Sequence, residues 1–357
     1  MQSNTPIPNQ QSTEPMQAMD GTAIMQPQQS QIPENELKRA GEIIEKIQTA
    51  YGTRVVGQEG LRTALMVALI TNGHVLLESV PGLAKTTAAK TLAESVSGTF
   101  HRVQCTPDLL PSDIIGTQVF NYGSGKFETQ IGPVHANFVL LDEINRSSAK
   151  TQSAMLEAMQ ERQVSIGGVE YKMPDPFLVL ATQNPIEQEG TYELPEAQLD
   201  RFLLKEILSY PTPAEEVSIL DYVESGATVK EIPKESLVSV EDVKFLQETA
   251  NKVFVDPAIK QYVVNLIQAT RAPGQFIPPE LAKYVEYGAS PRGAISLVKV
   301  GMALALLNGR GYVTPDDIKM LRYSVLRHRI ILNFEAIADD VHSEAIIDAI
   351  FGVIQTP

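Results

Sequence analysis

The sequence predicts an α/β protein: a parallel-sheet core with hairpin inserts, followed by an all-α lid region. Three observations predict it. Residues 74–97 read as a short apolar strand, a Pro-Gly loop and a helix opened by Lys85-Thr86. Residues 138–143, FVLLDE, are a second apolar strand that delivers two carboxylates at its end. From about residue 214 the apolar positions recur at helical spacing to the C-terminus.

The first stretch carries chemistry. Val75, Leu76 and Leu77 form the strand, Pro81-Gly82 punctuates the loop, and Ala88, Leu92, Ala93 and Val96 mark a helix stopped by Gly98. A loop between a strand and a helix N-terminus surrounds phosphates with backbone N–H groups and the positive end of the helix dipole. Here that loop is Ser79, Val80, Pro81, Gly82, Leu83 and Ala84, followed by Lys85, Thr86 and Thr87. Lys85 would reach the β- and γ-phosphates, and the Thr86 hydroxyl would sit on a magnesium ion. The usual pattern has Gly where Ser79 and Ala84 stand, and a Cβ fits at either place if the local φ stays negative. Taken alone, the stretch is also what a plain strand feeding an ordinary helix looks like, so the remaining chain decides.

Bulk properties narrow the classes. Apolar residues make up 43% of 357, enough for two packed units, and the one cysteine, Cys105, excludes an internal disulfide framework. No basic-then-apolar leader and no uncharged apolar run of ~18–20 residues is present, so the expectation is a cytoplasmic chain without a membrane span. A net charge of −14 opposes attraction to a polyanion, so no nucleic-acid partner is expected and proteins are the expected targets.

In chain order, residues 1–33 are a Gln/Pro-rich tail with no periodicity, read as disordered. Helices follow from Glu34 and over Leu61–Leu69, then, after the phosphate loop, a strand at 100–103 and a Pro/Asp-rich loop. Residues 117–131 alternate around a YGSG tip, and VSI-GG-VEY at 164–171 is a second hairpin. The strand 138–141 places Asp142 to hold magnesium through water and Glu143 to orient or deprotonate an attacking water, at the sheet edge where ligands bind. Residues 151–162 form an amphipathic helix with Met155 and Met159 inward. The strand 177–181 ends at Asn184, which is either a turn residue before Pro185 or a contact for the γ-phosphate. A short helix then ends at Arg201, expected on the surface, and a last strand covers 203–208. Two prolines in 209–216 mark a hinge, dividing a core at 34–209 from a lid at 210–357. Lid helices are expected at 214–224, 240–253, 256–270, 291–307, 315–327 and 341–354, with a charged linker at 228–236.

Strand–SVPGLAKT–helix, VLLDEIN, ATQNP, LDRF and SPRG, in this order, closely resemble the AAA+ ATPases, and within them the MoxR family. The runs at 106–117, 140–161, 181–202, 288–294 and 325–330 carry the subfamily resemblance, which spans roughly residues 37–350. The resemblance implies ATP with Mg2+ between core and lid, Lys85 and Thr86 as the phosphate-loop pair, and Asp142 and Glu143 as the magnesium and catalytic-water acids. It implies Asn184 as first sensor, Arg292 as a second sensor reaching the γ-phosphate from a lid that swings about 209–213, and Arg201 as a finger offered to the neighbour's nucleotide. Arg146 is a second candidate for such a contact. Gly57 and Gln58 fall on the family's adenine-side loop, and the hairpins look like its two inserts, the first a candidate to project into a ring pore. The implied function is an ATP-hydrolysing, chaperone-like remodeller in a hexameric ring, working with von Willebrand factor A domain partners. Two alternatives remain: a nucleotide-gated scaffold with little turnover, and a magnesium-chelatase-like motor subunit.

Overall fold

The computed structural model describes residues 32–80, 82–185, 190–224, 232 and 237–357. Residues 1–31 of the expected tail, Pro81 and nearly all of the expected linker lie outside these. Ile32 is only 4% exposed, so packing begins before the expected end of the tail.

Helices Glu34–Gly52 (α1) and Glu59–Thr71 (α2) lead into strand Val75–Ser79 (β1) and helix Lys85–Ser95 (α3). Strand Phe100–Gln104 (β2), a single helical turn Pro111–Ile115 (α4) and a hairpin Gly116–Asn121 (β3) and Lys126–Ile131 (β4) follow. Next come Phe138–Asp142 (β5), helix Ala149–Glu161 (α5), a second hairpin Gln163–Ile166 (β6) and Val169–Lys172 (β7), strand Leu178–Gln183 (β8), a turn Glu196–Leu199 (α6) and Leu204–Leu208 (β9). Five strands pair in parallel in the order β2-β5-β8-β1-β9. Parallel sheets bury both faces, which is why these strands read as apolar runs rather than alternations. Along β5, Phe138 and Leu140 pack into one apolar cluster with α1, α2 and α3; Val139 and Leu141 pack into the other, with Met155, Leu156 and Met159 of α5.

Both hairpins stand where the sequence predicts them. The β6–β7 turn is Gly167-Gly168, with φ of +60° and +83°, the paired left-handed geometry that only glycine takes easily. The β3–β4 ribbon runs in register from Gly116↔Ile131 to Asn121↔Lys126. Its outer face carries Phe120, Tyr122 and Phe127 in edge-to-face contact, with Tyr122 92% exposed.

Past β9 the chain is helical, through Pro213–Glu224 (α7), Val240–Asn251 (α8), Pro257–Arg271 (α9) and Pro279–Ala282 (α10). Strand Val285–Tyr287 (β10) precedes Pro291–Leu307 (α11), Pro315–Met320 (α12) and Arg322–Leu326 (α13); Ile331–Leu332 (β11), Phe334–Ala338 (α14) and Ser343–Val353 (α15) close the chain. Starts are set by caps: Ser239 and Asp242 reciprocate at α8, Asp256 precedes Pro257 at α9, and Ser290 accepts from the Arg292 amide at α11. Each such cap contributes about 1 kcal/mol. Two expectations are corrected here. The single helix over 315–327 is two, because Leu321 (φ −111°, ψ 27°) leaves helical geometry. Strands β10 and β11, three and two residues long, pair as an antiparallel ribbon too short for periodicity to reveal.

Lid and core share one apolar cluster, in which Ile43, Ile47 and Leu65 meet Val243, Leu246, Leu297 and Leu304. Polar contacts lock the seam along β9: Ser324 Oγ donates to Glu206 at 2.6 Å, and the His328 ring Nε2 donates to the Phe202 carbonyl at 3.2 Å. Burial raises the Glu206 carboxyl above the ordinary carboxylate range, with the Ser324 hydrogen bond and the Arg327 charge pulling it back. An acid whose folded pKa is raised stabilises the fold while protonated, and that contribution is lost as pH climbs through the raised value. Glu206→Gln keeps an acceptor for Ser324 and removes the ionisation penalty. Its melting temperature is expected to exceed that of the wild type at pH 8, with the difference shrinking below pH 4; thermal melts across that range check it.

Candidate active site

The parallel register places the sequence-predicted residues on one edge. Leu77 pairs with Thr182, Glu78 with Gln183, and Leu141 with Ala181. The phosphate loop after β1, Asn184 after β8 and Asp142-Glu143 after β5 therefore leave three adjacent strands at their C-terminal ends. Neighbouring strands lie about 4.8 Å apart, so all three groups fit within reach of one polyphosphate.

In the loop, Ser79 is buried and extended, and its Oγ donates to the Val80 carbonyl at 3.1 Å, so its Cβ costs nothing in backbone strain. Gly82 has φ +89° and nothing within 4 Å of where a Cβ would stand, which leaves an open cradle beside Leu83. Ala84 differs from expectation. Its φ is +52°, in the left-handed region, which costs a residue with a Cβ roughly 1–2 kcal/mol. The Ala84 carbonyl still accepts from Ala88 N at 2.9 Å, so α3 starts regularly with Lys85, Thr86 and Thr87 in its first turn. Lys85 is partly buried and has no ion pair among the described residues. Burial lowers its pKa, while the charges of Asp142 and Glu143 pull it back.

The two acids are held by a network that the sequence did not reveal. Asp142 Oδ1 accepts from Thr182 Oγ1 at 2.8 Å, and Oδ2 accepts from Arg102 Nε at 3.1 Å and Nη2 at 2.5 Å. Glu143 has φ +57°, a strained conformation of the kind that gathers at functional sites, and its N–H donates to Thr182 Oγ1 at 2.8 Å. Its Oε2 accepts from Gln104 Nε2 at 2.9 Å and from Arg146 Nη1 at 3.2 Å. Arg146, the second candidate for a contact with a neighbour, contacts Glu143 within its own subunit. Arg102 and Gln104 sit on β2, two residues apart on one face, beside β5 in register; that alternation was the available signal.

The donors suit Mg2+ and ATP. Thr86 and Asp142 offer hard oxygens, and no three acidic, His or Cys side chains converge among the described residues. Mg2+ takes such a sparse protein set when phosphates complete its shell. Beside the loop, a cavity of about 210 Å3 is lined by Val55, Val56, Gln58, Leu83, Pro211, Ile219, Tyr222 and Val223, an apolar cleft with few polar groups, as a nucleobase requires. Gly57 has φ +68°, in the left-handed region that favours glycine, and it faces the Glu215 side chain at the start of α7. Gln58 Nε2 donates to the Leu83 carbonyl at 3.3 Å, tying that turn to the phosphate loop. Ile219, Tyr222 and Val223 were legible only as a helical stripe on α7.

The two remaining arginines lie elsewhere. Arg201 and Arg292 line a cavity of about 220 Å3 together with Asn72, His74, Arg162, Lys299 and Arg329. Asn72 and His74 precede β1, so this cavity is at the opposite, N-terminal edge of the sheet from Lys85, separated by roughly 16 Å of five-residue strand. Arg201 is half-buried there rather than on open surface. Arg292 is beside Arg201, not beside its own phosphate loop.

Comparison with known proteins agrees with this geometry. Residues 74–204 match the family model described as the ATPase family associated with various cellular activities (AAA), and residues 281–350 match the AAA lid domain. The chaperone MoxR1 of Mycobacterium tuberculosis is 48% identical over 303 residues, covering 85% of this chain and 79% of that protein. The MoxR protein of Methylorubrum extorquens is 31% identical over 315 residues, covering 85% and 91%. A solved structure from Cytophaga hutchinsonii superposes with a TM-score of 0.84 at 45% identity, covering 91% of this chain and 98% of that one. Among the described residues no helix is long and apolar enough to cross a membrane. With the ATPase model matching the core, the lid model matching the C-terminal helices and 48% identity to a MoxR chaperone over most of the chain, the chain belongs to the MoxR family of AAA+ ATPases and is a nucleotide-binding, chaperone-like protein.

Proposed function

We propose that the chain hydrolyses ATP at the interfaces of a homo-oligomeric ring, hexameric as the family resemblance implies, and uses that turnover to remodel or mature partner proteins. The observation that carries this is the separation of two sets: Lys85, Thr86, Asp142, Glu143 and Asn184 at one edge of the sheet, Arg201 and Arg292 at the other. Neither set is complete without a second subunit.

Within one subunit, the loop amides and Lys85 hold the β- and γ-phosphates, and Thr86 with Asp142 would hold a magnesium ion, which would neutralise phosphate charge. Asn184 and Glu143 position the attacking water. As the water oxygen bonds to the γ-phosphorus and the bond to the bridging oxygen breaks, Glu143 takes the proton. For this, Glu143 Oε2 gives up its bonds to Gln104 and Arg146, and Asp142 loosens from Arg102. Arg201 and Arg292 of the adjoining subunit stabilise the charge that develops on the transferred phosphoryl group. The exposed aromatic tip of the β3–β4 ribbon is placed to touch a client, and proteins with von Willebrand factor A domains are the expected partners.

The hold of Arg102 and Gln104 on the two acids also favours a second reading, a nucleotide-gated scaffold that binds ATP with little turnover. One variant separates them. Arg201→Ala is expected to lower phosphate release by about 10³–10⁵-fold, the range for an arginine supplied from a neighbour, with ATP affinity essentially unchanged. Wild-type phosphate release no faster than that of Arg201→Ala would favour the scaffold.

A further inference from the structure

The cavity at the N-terminal sheet edge holds more charge than two trans arginines explain. Five cations line it, Arg162, Arg201, Arg292, Lys299 and Arg329, in a chain whose net charge is −14. Its one carboxylate, Asp200, already accepts from Arg329 Nε at 2.8 Å and from Ser290 Oγ at 2.7 Å. Arg162 gives one guanidinium donor to the Asn72 carbonyl, and Arg201, Arg292 and Lys299 have no ion pair or side-chain hydrogen bond among the described residues. The cations are close enough to oppose one another: the Arg292 charge lowers the Arg329 pKa, after burial and against Asp200, and the Arg162 charge adds to the burial that holds His74 neutral. Like charges gathered around a half-open cavity are an electrostatic cost that an anion relieves.

We propose that Arg162 and Lys299 join Arg201 and Arg292 in a composite site for the terminal phosphates of a nucleotide held by a second copy of this chain. The inference rests on the ring reading above and adds two residues to it. Lys299 stands two helical turns after Arg292 on α11, so both leave the same face of the lid, while Arg162 and Arg201 come from the core. An anion bridging them therefore ties lid to core in the receiving subunit. Its own nucleotide cannot be that anion, because the phosphate loop lies at the far edge of the sheet. Ile295, 55% exposed between Arg292 and Lys299, supplies an apolar contact for the second copy at the rim.

Subunit mixing tests this. Lys299→Glu is expected to lower phosphate release on the order of 10-fold or more, with the affinity for a fluorescent ATP analogue unchanged. Lys299 is exposed and unpaired, so the variant should fold, and Lys299→Ala should show a smaller loss of the same kind. Mixing Lys299→Glu, which binds ATP but has a defective cavity, with Lys85→Ala, which has an intact cavity but no ATP, should restore activity that neither has alone. The parallel mixture of Arg201→Ala with Lys85→Ala is the control. Recovery in both mixtures supports the proposal. Recovery with Arg201→Ala alone removes Lys299 from the site and overturns the proposal while the ring reading stands. Recovery in neither overturns both, and undiminished turnover or weakened nucleotide affinity in Lys299→Glu overturns the assignment directly.

Discussion

Replacing Glu143 by Gln is expected to lower phosphate release by about 10²–10⁴-fold, the usual worth of a positioned general base, while ATP still binds. Gln is isosteric, keeps a carbonyl oxygen that can accept from Gln104 Nε2, and leaves the φ +57° turn after β5 undisturbed. What it cannot do is take a proton. The protein should therefore accumulate in the ATP-bound state, and filter-retained nucleotide after a single-turnover chase should be ATP rather than ADP. Lys85→Ala, by contrast, should lose binding itself, since it removes a partly buried cation beside the two acids. A Glu143→Gln protein that releases phosphate at the wild-type rate would remove Glu143 from the chemistry.

The largest stability effect is expected at Arg329, far from the phosphate loop. Its side chain is buried in the seam, pairing with Asp200 Oδ1 and donating to the carbonyls of Phe202 at 2.6 Å, Leu203 at 3.2 Å and Val325. Arg329→Met fills a similar volume but breaks the ion pair of Asp200, which keeps only its bond from Ser290, and removes the Arg329 donors from the Leu203 and Val325 carbonyls, while Phe202 keeps its bond from His328. Breaking a buried pair by removing one partner typically costs about 3–5 kcal/mol. Urea unfolding of the variant should show that loss, and because Asp200 adjoins Arg201, turnover should fall with it even under conditions where the variant remains folded. This clamp also bears on the expected swing of the lid about 209–213. With Ser324 fixed to β9 and His328 and Arg329 fixed to residues 200–203 just before it, a rigid rotation of the whole lid would have to break the seam; α7, which has no buried residue, is freer to move.

The core was legible because its signals are local and redundant. An apolar run such as Val75–Leu77 reads as buried strand, and a Lys-Thr at a helix start, ambiguous alone, gains meaning once a second strand ends in Asp-Glu. Register did the rest, bringing Asn184 beside the loop by pairing Glu78 with Gln183. What escaped was relational. Arg102 and Gln104 are unremarkable in sequence until β2 pairs with β5 and lays them against Asp142 and Glu143. Arg292 was placed near Lys85 by its motif, but its position depends on how α11 docks, and packing against α2 takes it beside Asn72 and Arg201 at the other edge of the sheet. For Ala84 the sequence offered only a condition, that a Cβ fits where Gly is usual if φ stays negative, and the backbone does not meet it.

The central claim is that catalysis needs two subunits, each giving what the other lacks. The most direct measurement is wild-type phosphate release per subunit as protein concentration rises through the range in which sedimentation shows assembly. Specific activity should rise with assembly and level off when the rings are complete. Activity per subunit that stays constant down to concentrations at which the protein sediments as a monomer would contradict it.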